Sequence, residues 1–341
     1  MRVRRVFLFV LFFSCLLAFG QGEQQTSAPP NTPAPGTPAA SDPSAAVPST
    51  ASPENGARAA DAKTTSLPDL KPDANGALSQ EQMQQLFRVV ADKDAENDKR
   101  QRDYTYIDRE VQNNLDGKGL VKSTEIKTYE VLEIYGEQVQ RLIEKQDKAL
   151  DSKEAAKEEE KIQKIIDKRK NESEEDRRKR EAKQEKERED GRKFVHEVAD
   201  AYNFKLAGTE LVGGREAWVI DGEPRPGFEP HMKESKFLSK FHGRVWIDKA
   251  DLQLARMDVE AIETVSLGWV LARVHKGTRV MLEQTRVNEE VWLPRLVTFK
   301  IDARVALLKG YNVDGEQTYR DYKKFRTSTK ILDIGEVKEQ K

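Results

Sequence analysis

Residues 296–307, LVTFKIDARVAL, set Val297, Phe299, Ile301, Ala303 and Val305 on one side and Thr298, Lys300, Asp302 and Arg304 on the other. Successive side chains of an extended strand point to opposite faces, so this alternation predicts a strand with one apolar and one solvated face. Sheets wet on a single face are antiparallel, because parallel sheets carry helices on both faces. The flanking stretches TRVMLEQTRV and EQTYRDYKKF continue the pattern less cleanly. No regular helices intervene between these strands, which argues against a doubly wound parallel sheet.

Further upstream, FKLAGTELV and REAWVID are joined by Gly213-Gly214, the residues that supply the positive φ angles of a two-residue hairpin turn. A second hairpin is expected where DYTYIDREVQNNL and GLVKSTEIKTYEVLEI meet around Asp116-Gly117. In GRVWIDKADLQLARMD, residues 243–258, the apolar run Val245-Trp246-Ile247 ends in a turn at Asp248–Asp251. Beyond it, Ala255 and Met257 are expected on one side, Arg256 and Asp258 on the other.

Helical signals are fewer. Ser79 and Gln82 fit a capping box ahead of Met83, Leu86, Val89 and Val90, a short amphipathic helix. From 151 to 192 the chain is mostly charge, with Ile162, Ile165 and Ile166 the main apolar residues, and Asp151 with Glu154 suits a second capping box. Opposite charges three and four apart support a long solvated helix. Its basic run Arg177–Arg180 is flanked by Glu174, Glu175, Asp176 and Glu181, so the field largely cancels. Phe194, Val195, Val198, Ala199 and Tyr202 form a further helical stripe, and KESKFLSKF a short helix before the 243–258 hairpin.

The N-terminus reads differently. Arg2, Arg4 and Arg5 precede VFLFVLFFSCLLAF and the small-residue site Ala18-Phe19-Gly20, the layout of a secretory signal peptide over 1–20. Cleavage near Gly20 would send the chain beyond the cytoplasmic membrane as a periplasmic protein without a transmembrane segment. Cys15 is the only cysteine. Ser14 suits a lipidation site there but Phe12 and Phe13 do not, so lipid anchoring at Cys15 is the lesser reading. Residues 21–78 hold ten of the 14 prolines among Ala, Ser and Thr, too little apolar surface to offset ordering, and read as a disordered spacer. The folded part is expected over 79–341.

Charge and motif content restrict function. A formal net charge of -1 gives no general attraction to nucleic acid. His196, His231, His242 and His275 form no metal-binding pair, and no nucleophile elbow, phosphate loop or dinucleotide fingerprint occurs. No catalytic residue, metal or cofactor is therefore expected.

The order of elements — helix and hairpin, helical stretch, Gly-Gly hairpin ending in AWVID, then Trp246-Ile247-Asp248 through Arg256, and strands closing on YRDYKKF — resembles the outer-membrane lipoprotein-sorting superfamily. That resemblance spans roughly 100–325. It implies an α+β fold: a curved antiparallel sheet, an incomplete β-barrel with helices on its concave side, with the charged helix added. It also implies a non-enzymatic periplasmic protein that holds the acyl chains of lipoproteins or lipids beneath the sheet. Trp218, Trp246, Met257, Trp269, Met281, Trp292 and Phe299 are the candidates to line such a cavity, although filling an ordinary core is the favoured reading of such residues. The alternative is an envelope protein-interaction or sensor module on the same fold, with a protein partner in place of lipid.

Overall fold

In the computed structural model, residues 70–267, 272–305 and 309–325 are described. The signal segment, Cys15, the spacer up to residue 69, and Trp269 lie outside them.

Fourteen strands make a single antiparallel sheet. In chain order they are β1 (Ala77–Leu78), β2 (Tyr104–Leu115), β3 (Val121–Ile134), β4 (Glu137–Lys145), β5 (Lys148–Ala149), β6 (Tyr202–Val212) and β7 (Arg215–Pro224). There follow β8 (Phe241–Asp248), β9 (Leu254–Ala261), β10 (Val265–Leu267), β11 (Ala272–Val274), β12 (Arg279–Val287), β13 (Val291–Val305) and β14 (Lys309–Lys324). Across the sheet the order is β1-β6-β7-β8-β9-β12-β13-β14-β2-β3-β4-β5, with β10 and β11 alongside β13. Its ends, β1 and β5, are not neighbours, so the sheet is open rather than a closed barrel. The last long strand, β14, lies between β13 and β2.

Among the described residues three α-helices accompany the sheet: α1 (Gln80–Gln101), α2 (Ser152–Lys170) and α3 (Glu174–Ala201), with a 3-10 helix at Glu234–Lys240. The capping box forms at the start of α1, where the Ser79 hydroxyl accepts from Gln82 N and the Gln82 side chain accepts from Ser79 N. At α2, Asp151 accepts from Glu154 N, while the Glu154 carboxylate pairs with Lys145 instead of returning to the cap. The charged segment is two helices rather than one long one. Ser173 caps α3 by accepting from Asp176 N, and Arg169 and Arg180 both bind Glu172 at the elbow. The second of these helices continues through the apolar stripe to Ala201.

Packing differs between the two parts of the sheet. The main core joins Met83, Leu86, Phe87 and Val90 of α1 and Phe194 and Ala199 of α3 to the strands, among them Phe204, Ile220, Ile247, Met257, Leu282 and Val297. Val297, Phe299, Ile301 and Ala303 of β13 all face this core, as their alternation predicts. On the opposite face, Asp221–Arg244 and Asp258–Arg279 pair across neighbouring strands and meet water. That face supplies the polar half of the 243–258 hairpin.

A bulge changes one expected orientation. Trp246 pairs with Arg256 but Ile247 pairs with Leu254, leaving Ala255 as the extra residue. The extra residue resets the alternation, so Met257 enters the main core while Ala255 joins Trp246 in a separate cluster. The two do not share a side.

The α2 helix serves the far end of the sheet. Ile162 is buried with Ile134 and Val139, and Leu132, Ile165 and Ile166 pack against them. Its charged side chains also reach the outer edge of β4: Glu158 accepts from Leu142 N at 3.2 Å, and Lys161 donates to Gln140 O at 3.4 Å. An edge strand with occupied backbone groups is a poor template for further pairing.

Candidate functional site

Paired residues on neighbouring strands share a face, so the register traces the helix-facing surface beyond the core. Val297 pairs with Gln317, which pairs with Glu110; Phe299 pairs with Gly315, which pairs with Gln112. Tyr319 pairs with Asp108, and Asp108 with Tyr129. The surface that is apolar on β9, β12 and β13 therefore becomes polar on β14, β2 and β3. Gly315 marks the seam. A Cβ there would meet Val111 O and would come within 2.8 Å of Phe299 Cζ, so the Phe299 ring needs a glycine beneath it.

Past the seam, carboxylates and tyrosines alternate with amides. Asp108 is 3% exposed. Its Oδ2 accepts from Gln140 at 3.2 Å, while its Oδ1 has no hydrogen-bond partner among the described residues. Burial, and then the neighbouring Glu110 charge, push the Asp108 carboxyl well above the carboxylate range. Glu110 is also raised by burial, partly offset by a hydrogen bond from Gln317 (2.8 Å) and by Lys127. Tyr129 and Tyr319 feel both carboxylates, and burial followed by that charge raises both phenols. The rings of Tyr319 and Tyr322 lie 6.0 and 5.3 Å from Tyr106. Tyr319, Glu110 and Tyr129 keep part of their surface open to solvent although protein surrounds them. Such a surface lines a concavity rather than a packed core.

Water also reaches under α1. Asp94 lies between Val90 and Asn97 on the buried stripe of that helix, yet it is exposed. Desolvation by surrounding protein, and then Asp98 one turn on, push its carboxyl up to about 6. At the same end, Asn97 and Gln101 donate to Trp292 O at 2.8 and 2.9 Å and fix the helix to β13.

The candidates named from sequence separate. Met257 and Phe299 are in the main core, and Trp218 is partly buried against it. Trp246 is on the opposite face, donating from Nε1 to Glu210 at 2.8 Å, with the Arg256 guanidinium 5.2 Å from its ring. Met281, paired with Asp258 and Thr298, is half-buried on that same face. Trp292 clusters with Trp246 and Ala255 and donates from Nε1 to Asp251 at 2.9 Å. Trp269 lies outside the described residues.

None of the polar residues past the seam was singled out from sequence. The signal was present in YTYIDREVQ, where Tyr106, Asp108, Glu110 and Gln112 alternate, but only the register reveals that this set faces inward. A separate cleft of about 220 Å³ lies where Lys93, Asn97 and Arg100 face Asp251, Arg286 and Trp292. Its Asp251 is already held by Arg215, Arg286 and Trp292. Among the described residues no group of three or more His, Cys, Asp or Glu is placed to hold a metal, and no helix is long and apolar enough to cross a membrane.

No protein-family model matches the chain, and no curated protein matches it in sequence. Several solved structures resemble it. An outer membrane lipoprotein-sorting protein domain from Vibrio parahaemolyticus is 12% identical, covering 72% of this chain and 94% of its own, with a TM-score of 0.30. A LolA superfamily protein from Nitrosomonas europaea is 8% identical over 66% of this chain and 87% of its own, with a TM-score of 0.26. The MucA/MucB complex of Pseudomonas aeruginosa gives 9% identity over 72% and 99%, with a TM-score of 0.20. These are likenesses of architecture, and nothing about a ligand follows from them.

Proposed function

We propose that this chain is an exported, non-enzymatic binding protein that shelters the acyl chain of a lipid or lipoprotein between its helices and sheet. One observation carries the reading. The helix-facing surface changes from apolar to polar and wet across Phe299 and Gly315, within one continuous sheet. A core needs no such division, whereas an amphiphile has an apolar part and a polar part to be met separately. Met257, Phe299 and Trp218 are the apolar lining in this reading. The residues past the seam take no part in a nucleophile–base pair, in keeping with binding rather than chemistry.

The test is native mass spectrometry of the mature chain purified from an envelope fraction. Bound phospholipid or acylated peptide is the expected result. A lipid-free protein that also fails to take up an acylated peptide would contradict the proposal.

A second reading, docking of a protein partner, draws on a different feature. On the outer side of β6, strand β1 pairs only with Phe204 and Lys205. Residues 209–211 beyond are exposed, with Leu211 71% exposed. A strand edge of this kind accepts an added strand. A photo-crosslinking residue at Thr209 that captures an envelope protein, with no lipid found in the interior, would favour this reading over the first.

A further inference from the structure

The polar part of the interior has a chemistry of its own. Asp108 and Glu110 sit two apart on β2, both on the helix-facing surface, and no arginine is paired with either. Arg109 between them points to the other face, where it holds Asp147 through two hydrogen bonds of 2.8 and 2.9 Å. Lys127, paired in register with Glu110, places its ammonium 2.8 Å from Glu125. Two carboxyl groups thus stand in a recess where the neighbouring cation, Lys127, is shared between Glu110 and Glu125. Of their oxygens, Asp108 Oδ1 is buried without a partner among the described residues. A buried acceptor left unmatched costs stability unless something supplies a donor. The walls are rings: Tyr129 and Tyr319 flank Asp108 on either neighbouring strand, and Tyr106 meets Tyr319 edge-on. Aromatic faces attract a cation.

We infer that the recess formed by Asp108, Glu110, Tyr106, Tyr129 and Tyr319 binds a protonated amine carried by the ligand. This rests on the amphiphile reading for the ligand's tail but not for its head. The ammonium donates to Asp108 Oδ1 and, by its charge, draws the Asp108 and Glu110 carboxyls into the ionised form that burial disfavours, while the tyrosine rings exclude water. Amine-bearing lipid heads and free small amines share this chemistry, and the experiment separates them.

Isothermal titration of the mature chain with octylammonium, octanol and ethanolammonium, repeated with Asp108→Asn and Glu110→Gln, is the test. Both substitutions preserve shape and remove a desolvated acid, so the fold is expected to hold; circular dichroism checks it. Octylammonium should bind about tenfold more tightly than octanol, the gain of one charge-assisted contact. Each variant should lose that preference while its affinity for octanol stays unchanged. Ethanolammonium binding as tightly as octylammonium assigns the recess to free amines; much weaker binding assigns it to the head of an amphiphile. Equal affinity for octylammonium and octanol, or a preference that survives both substitutions, overturns the amine site and leaves the amphiphile reading standing. If no probe binds, both readings fall.

Discussion

The two parts of the sheet bury opposite faces. From β6 through β13 most apolar residues turn toward α1 and α3, and the other face carries the smaller Trp246 cluster and cross-strand ion pairs in water. On β3 and β4 the arrangement inverts: Leu132, Ile134 and Val139 turn away from that interior to meet Ile162 of α2. The face they leave free carries Asp108, Glu110 and the tyrosines. Strand alternation always yields two faces, and the helix that comes to rest on a strand decides which of them is dry. A sheet sampled by helices from both sides can therefore present a core and a wet recess on one continuous surface.

The strongest way to break this comparison lies in the dry part. Leu282 is fully buried beneath the helices, and Leu282→Ala should lower global stability by about 2–5 kcal/mol in urea unfolding. A loss under about 1 kcal/mol would show that this interior is loosely filled. A smaller effect is expected from Ile162→Ala, about 2 kcal/mol and confined to the far end. Hydrogen exchange should then speed up in α2 and β4 while β12 and β13 stay protected; uniform loosening would mean that the two parts unfold as one.

The smallest effect follows from Asp94. Below pH 3.8, its ordinary value, the carboxyl is protonated whether the chain is folded or not. Between 3.8 and about 6 the unfolded chain releases the proton while the fold keeps it, so stability falls as pH rises, and the loss is complete above about 6. Because Asp94 meets solvent, screening keeps the effect below about 1 kcal/mol. Asp94→Asn should flatten the stability profile in that window. An unchanged slope would mean that the space under α1 does not desolvate this carboxyl.

Much of this fold can be read from local chemistry. The Gly213-Gly214 hairpin, the turn around Asp116-Gly117, the Ser79 cap and the alternation of β13 each depend on a few adjacent residues, and all are present. What depended on distant partners was not legible. The bulge at Ala255 follows from how β9 meets β8, and no residue type announces it. In strand β4, EQVQRLIEK, Val139 is dry only because α2 covers that face. Trp246 and Trp292 look like lining residues by size, but the register takes Trp246 to the opposite face. The recess at Asp108 was hidden for the same reason: its members come from β2, β3 and β14, far apart in the chain.

The place of β14 has a consequence for how the molecule assembles. Among the described residues, strands β2 to β5 join the rest of the sheet through residues 309–324, which follow β5 by about 160 residues. A chain threaded from its N-terminus must leave that early meander waiting, one margin unzipped, until residues 309–324 have emerged. Closing so long a loop is slow, and the join is made last. The recess past Gly315, which needs both β14 and β2, exists only once these two distant segments have met.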